Sequence, residues 1–307
     1  MARRSSSRLA LEVTVVLCAV LAAAWWLFSR SVYRGPTELR AALPSSHAVA
    51  AVDEAIVEAV TGSVQRSTAQ GSWEDVVAGE HLRADDSLRT GKGARTDLRI
   101  GDRARLTVAE SSQLTIREIT QRLHRFQLER GRVKADYKPD GQRVLRIESA
   151  GGVAESKGAR FSMLSTGTAV AIATDDGAVT LRSHDTAIEV AAGRQAVATE
   201  GHAPAAAEPI PASVLLKVAN AAAATDGLCA TVDGVAPAGT EVTVDGVPAP
   251  VAADGSFRVA VARAPDPHEV LVAMRDAAGH EETRTVRCVD PPPRIRDFAI
   301  HWRKQTP

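Results

Sequence analysis

The stretch "ESAGGVAESKGARFSML", residues 148–164, decides how the chain folds. Two small-residue points, Gly151-Gly152 and Gly158, flank short runs in which apolar and polar residues alternate. Glycine serves crowded or left-handed backbone. The first pair therefore predicts a turn, with Val153 opening the next strand. Gly158 predicts a bend, after which Phe161 plugs a core. The stretch holds no metal-ligand set and no phosphate loop, so these are folding positions rather than reaction positions.

Outward from there, the same period of two runs over residues 55–200. Leu98 with Ile100, Leu106 with Val108, Leu114 with Ile116, and Phe126 with Leu128 alternate with polar neighbours. Val133, Ala135 and Tyr137 come next, then Leu145 with Ile147, Phe161 with Met163, Val179 with Leu181, and Ile188 with Val190. Short alternating runs predict half-buried antiparallel strands. "RTGKGAR", "ERGR", "KPDG", "TDDGA" and "AAGRQ" supply the expected turns through Gly and Asp-Gly. Sandwich, roll or short solenoid closure all satisfy this pattern. The segment "AVDEAIVEAV", residues 51–60, fits a short helix or a strand.

Beyond the strands lies "GHAPAAAEPIPA", residues 201–212, read as a semi-rigid Ala/Pro linker. "LLKV", "CATV", "EVTVDG", "FRVAVA", "VLVAM" and "TRTVRCV" then predict a small β-sandwich over residues 213–290. Residues 291–307 form a mildly basic tail, expected to be flexible. The expected fold class is all-β.

The N-terminus sets the expected compartment. After Arg3, Arg4 and Arg8, "LALEVTVVLCAVLAAAWWLF" at residues 9–28 would rise about 30 Å as a helix, enough to cross a bilayer. The basic start favours a cytoplasmic N-terminus. A signal peptide cut after Ala22-Ala23-Ala24 is the rival reading, and both readings export the remainder of the chain. Residues 1–30 are thus a stub and anchor, and residues 31–54 a juxtamembrane segment. Cys229 and Cys288 are then a lone exported pair, expected to form a disulfide.

Reactive chemistry is hard to find. Basic and acidic residues balance at 37 each, so the electrostatic footprint of a nucleic-acid binder is missing. No zinc-protease helix, nucleophile elbow or Walker loop occurs. Asp175-Asp176-Gly177 reads as a hairpin turn rather than a catalytic pair. The Asp-Gly pairs at Asp226, Asp233, Asp245 and Asp254 read as separate turns rather than a calcium loop. The basic residues of 89–105 read as a solvated strand face. Trp73, Tyr137 and Trp302 are the main candidate sugar platforms. No cofactor, metal or enzymatic activity is expected.

Taken in order, "GSWEDVVAGEHLRADDSLRTGKGARTDLRI", "ARLTVAESSQLTI", "FQLERGRVKADY", "LRIESAGGVAESKGARFSM" and "DDGAVTLRS…VAAGRQAVA" resemble the FecR domain over residues 55–200. The motif positions are Arg89, Thr90, Gly91, Gly93, Gly131, Gly152, Val153, Gly158, Phe161, Gly177 and Gly193. The resemblance implies a periplasmic module that receives a signal from an outer-membrane transporter. The family passes it through one membrane helix to a segment controlling a sigma factor. Eight residues precede the predicted span here, too short a stub to grip a sigma factor. The expectation is an exported, non-catalytic scaffold or sensor anchored in the inner membrane, meeting a protein partner. Peptidoglycan or another glycan is the alternative ligand, and a sigma-pathway sensor working through a separate cytoplasmic partner is the other alternative. Residues 234–262, "GVAPAGTEVTVDGVPAPVAADGSFRVAVA", resemble bacterial Ig-like modules.

Overall fold

The computed structural model describes residues 54–68, 71–138, 141, 143–213, 216–218, 231–252, 254–261 and 268–288, together with Trp26. The rest of the expected membrane span, Cys229, Trp302 and the tail lie outside the described residues. From Ala55 to Cys288 every described regular element is a strand or an isolated bridge. The all-β expectation holds, and residues 55–60 belong to a strand.

Sixteen strands, from Ala55–Thr61 to Glu208–Pro209, share one hydrogen-bonded network that separates into two layers. The first layer runs His81–Leu82, Ala55–Thr61, Arg95–Ile100, Ala104–Val108, the second half of Leu123–Tyr137, and Ala159–Ser165. It continues through the first half of Ala169–Ser183, Arg194–Thr199 and Glu208–Pro209. The other layer runs Glu74–Asp75, Val64–Ser67, Ser87–Thr90, Gln113–Ile119 and the first half of Leu123–Tyr137. Val144–Ser149, Gly152–Ser156, the second half of Ala169–Ser183 and Thr186–Ala191 complete it.

The two 15-residue strands are thus shared by both layers. Leu123–Tyr137 pairs in parallel with Val144–Ser149, placing Val144 beside Leu123. Seven residue steps from Tyr137 to Val144 reach at most about 25 Å, whereas a straight strand of that length would run about 50 Å. The strand must therefore double back. It does: His124 and Tyr137 meet edge-to-face with ring centroids 6.0 Å apart. The fold is at Gly131, where φ is 90°. Gly177 has the same place in the second long strand, with φ of 77°.

Two sequence expectations change here. "ERGR" and "TDDGA" are not hairpin turns but bends inside continuous strands. A left-handed glycine redirects the chain while neighbours on both sides keep it paired. The expected purely antiparallel domain also contains that one parallel pairing.

The alternating residues face one core. Leu98, Ile100, Leu106, Phe126, Phe161 and Met163 are among those with no exposed surface. Val190 is buried and Ile188 packs partly against them. The Ala/Pro segment is more than a linker: Glu208–Pro209 adds to the edge of Arg194–Thr199, and Ile210 packs onto a small apolar patch.

Residues beyond 216 form two smaller sheets. One orders Lys217–Val218, Thr231–Val235 and Ser256–Ala260; the other orders Val247–Ala249, Glu241–Val244, His268–Arg275 and Glu281–Cys288. Val232, Val242, Phe257, Val272 and Met274 share a core between them. Asp233, expected in a turn, lies in a strand, where it accepts from Arg258 Nε at 2.8 Å. Gly234 beside it leaves the room that Phe257 fills, since a Cβ there would stand 2.3 Å from the ring. Cys288 ends the last strand and is buried.

Candidate functional site

The groups that converge do so where the small C-terminal module meets the two-layered body. The body's side is built from the Arg-Thr-Gly motif. Thr90 is buried, and its hydroxyl donates to the Ala109 carbonyl at 2.5 Å while accepting from Ser112 N–H at 2.9 Å. This ties the 90–94 turn to the 109–112 turn. Gly91 N–H donates to the Ser63 carbonyl at 2.9 Å, and Gly93 N–H donates to Glu110 Oε2 at 2.5 Å. The motif thereby fixes the Glu110 carboxylate at the rim.

The module's side is the hairpin joining its last two strands. Asp276 is buried and accepts from the N–H groups of Gly279 and His280, each at 2.7 Å, and faces His280 Nδ1 at 2.8 Å. That clamp presents Ala277 and Ala278 to Leu164, Ala171 and Ala173 on the outer face of the first layer. Gly279 lies so close to the Arg132 guanidinium that a Cβ would stand 2.4 Å from Nη1.

Arg275 joins the two sides. Its Nη2 donates to Glu110 Oε1 at 2.6 Å and its Nε to Glu281 Oε1 at 2.6 Å. The Arg275 hydrogen bond, then the Gly93 N–H, hold the Glu110 carboxyl below its ordinary range. Burial works against the Arg275 charge, but the bonds to Glu110 and Glu281 hold its pKa above the ordinary value. Burial pushes Arg132 down and Glu241 up. Lys92 completes the set by lying over the 245–246 turn, where a Gly246 Cβ would be 2.9 Å from Nζ. Among the described residues, Lys92, Arg132 and Arg275 thus meet the carboxylates of Glu110, Glu241, Asp276 and Glu281 at the junction. Such an arrangement can hold, release or reorient a module.

The sequence-predicted residues are dispersed by comparison. Arg89 lies over Trp73, 4.2 Å from the ring centroid, which covers that indole. Tyr137 is buried, so it is no sugar platform. The strand opens at Gly152, one residue before the expected Val153, Gly158 N–H donates to Ser156 Oγ at 3.1 Å, and Phe161 is in the core. Gly193 N–H donates to the Thr174 carbonyl at 2.8 Å in a tight turn. Asp175 pairs with Lys134 Nζ at 2.8 Å within the bent strand. On the basic face, Arg99 and Arg105 share Glu58, and Arg95 pairs with Asp97. Among the described residues no group of three or more His, Cys, Asp or Glu could hold a metal ion. Sequence reasoning misses Glu110, Arg132, Glu241, Arg275 and Glu281. The one usable signal is "RDAAGHE", whose hairpin tip is apolar where a free tip would be polar.

Residues 86–180 match the family model described as FecR protein. No curated protein matches the sequence. Two crystal structures of a candidate anti-sigma factor from Parabacteroides distasonis are similar at 12% and 11% identity, each with a TM-score of 0.37. Both alignments cover 41% of this chain, which spans 60% of the length of those proteins. A polysaccharide lyase is similar at 12% identity and a TM-score of 0.19, over 77% of this chain and 40% of that one.

Proposed function

We propose, from the premise that this chain carries a FecR domain over residues 86–180, that it is a non-catalytic envelope sensor or scaffold working through protein contacts. The family match is the observation that carries this reading. The junction built on Arg275 supports it, because a module latched by charges can change position when a partner competes for those charges. In the finer form of the proposal, residues 9–28 anchor the chain in the inner membrane and the β domains stand in the periplasm. An event sensed there passes to a separate cytoplasmic partner in a sigma-factor pathway. The C-terminal module serves as an Ig-like spacer, closed by a disulfide between Cys229 and Cys288.

In-cell photo-crosslinking from Lys157, an exposed position on the body, tests the central part. Capture of an outer-membrane transporter or a regulatory membrane protein is the expected result. Capture of structural envelope proteins alone would make the chain a tether and end the sensor reading. Thiol labelling of envelope-isolated protein checks the disulfide, which predicts no reactive thiol at Cys229 or Cys288. N-terminal sequencing checks the anchor, since a chain beginning near Trp25 would contradict it.

A further inference from the structure

A cleft of about 560 Å³ lies between the body and the edge strand Val247–Ala249 of the C-terminal module. Its two walls are chemically unlike. On the body's side, Arg89, Gln113 and Arg130 stand in register across three neighbouring strands. Arg89 is held in place: its Nε and Nη2 donate to Gln65 Oε1 at 2.9 and 2.6 Å, and Trp73 lies beneath it. Arg130 is exposed and has no ion-pair partner among the described residues. Two guanidiniums therefore face one cleft. The opposing charge lining it is Glu241, whose carboxyl is shifted by burial towards its neutral form.

The other wall is an edge strand stripped of donors. Asp245 and Gly246, with φ of 50° and 81°, make a two-residue turn closing on Val244 and Val247. In such a hairpin the closing pair is the hydrogen-bonded one, and bonded and non-bonded pairs alternate along the ladder. Pro248, paired with Thr243, thus directs its backbone away from its partner and towards the free edge. Pro250 stands two positions on, on the same side. Proline offers a carbonyl and no N–H, so this wall accepts but does not donate. A peptide adding as a strand needs both donors and acceptors from the edge it joins. A polyhydroxylated chain needs only acceptors there, and its C–H faces can rest on the proline rings.

We propose that this cleft binds a carboxylate-bearing glycan chain, with Arg130 and Arg89 holding carboxylates and the Pro248 and Pro250 carbonyls accepting sugar hydroxyls. Charge-assisted pairing with planar carboxylates is the strength of arginine. The exposed Thr168 lines the same cleft and offers a further hydroxyl. The proposal stands apart from the sensor reading, and either can fail without the other.

The test uses the purified full chain on immobilised polygalacturonate, its methyl ester and polyglutamate. Retention on polygalacturonate alone is expected. Arg130→Ala should weaken that retention about tenfold or more, the loss of one charge-assisted carboxylate contact. Arg258→Ala, an exposed change on the outer strand of the module, should leave it intact. Circular dichroism and the melting midpoint of Arg130→Ala should match the parent. Equal retention on the methyl ester would overturn the carboxylate requirement, and equal retention on polyglutamate would overturn the glycan class. No retention on polygalacturonate, or retention undiminished by Arg130→Ala, would overturn the site.

Discussion

The body and the junction are built on opposite physics. Inside the two-layered body, Phe126, Phe161 and a continuous set of Leu, Ile and Val residues are removed from water. At the junction the apolar contribution shrinks to Leu164, Ala171, Ala173 and Ala277, with Val197, Ile210 and Ala278 partly buried beside them, ringed by charges that keep contact with water. Ordinary salt does not weaken the burial of apolar surface, while ion pairs that keep contact with water are screened by it. The body is the apolar frame, and the Arg275 junction is the part that loss of its charges can loosen.

The largest expected effect attacks the frame. Gly131→Val would set a Cβ 2.2 Å from Ser112 Oγ and 2.4 Å from Ser112 Cα, at a φ of 90°. The clash and the left-handed backbone together should cost about 3 kcal/mol or more. Denaturant unfolding should show an early midpoint, or no folded protein at all. A parent-like midpoint would mean that the long strand does not turn at this glycine.

Arg275→Ala comes next and should separate the regions. It removes both bonds from a side chain that is 20% exposed and leaves Glu110 and Glu281 without their shared cation. After allowance for solvent screening, the junction should lose about 1–2 kcal/mol. Calorimetry should then resolve the module melting ahead of an unchanged body. Acid should imitate the mutation. Because the Glu110 pKa is lowered in the folded state, its contribution is present above the ordinary carboxylate range and fades as pH falls through the lowered value. A single transition that stays single in the variant would deny the junction its separate character.

The smallest effect has the opposite sign. Burial raises the Glu241 carboxyl, so ionising it costs stability as pH rises from the ordinary carboxylate range through its raised folded value. Glu241→Gln should therefore melt slightly higher than the parent at pH 7, with the gap closing near pH 4. A variant less stable than the parent at pH 7 would show the carboxylate to be a net attractor of Arg132 and Arg275.

The frame is more legible in the sequence than the junction, for a physical reason. Alternation such as Leu98-Arg99-Ile100 is local, and a strand with one buried face must write it into consecutive residues. The bends at Gly131 and Gly177 look like turns in the sequence alone. Glycine announces a change of direction, but distant partners such as Ser112 and Ala159 decide whether pairing continues through it. Glu110 and Arg275 are 165 positions apart. Neither "TVAESS" nor "AMRDAA" carries a local pattern that would bring them together. Thr90 is legible only as part of a family motif; its role in fastening the Glu110 turn needs the contact itself.

Hydrogen exchange of the full chain, read by mass spectrometry in low salt and in about 1 M salt, tests the division between frame and junction most directly. Faster exchange in high salt is expected only in peptides covering residues 90–94, 109–112 and 275–281, with residues 123–137 and 159–183 unchanged. Equal protection of the junction in both conditions, or loss of protection spread through the two long strands, would contradict it.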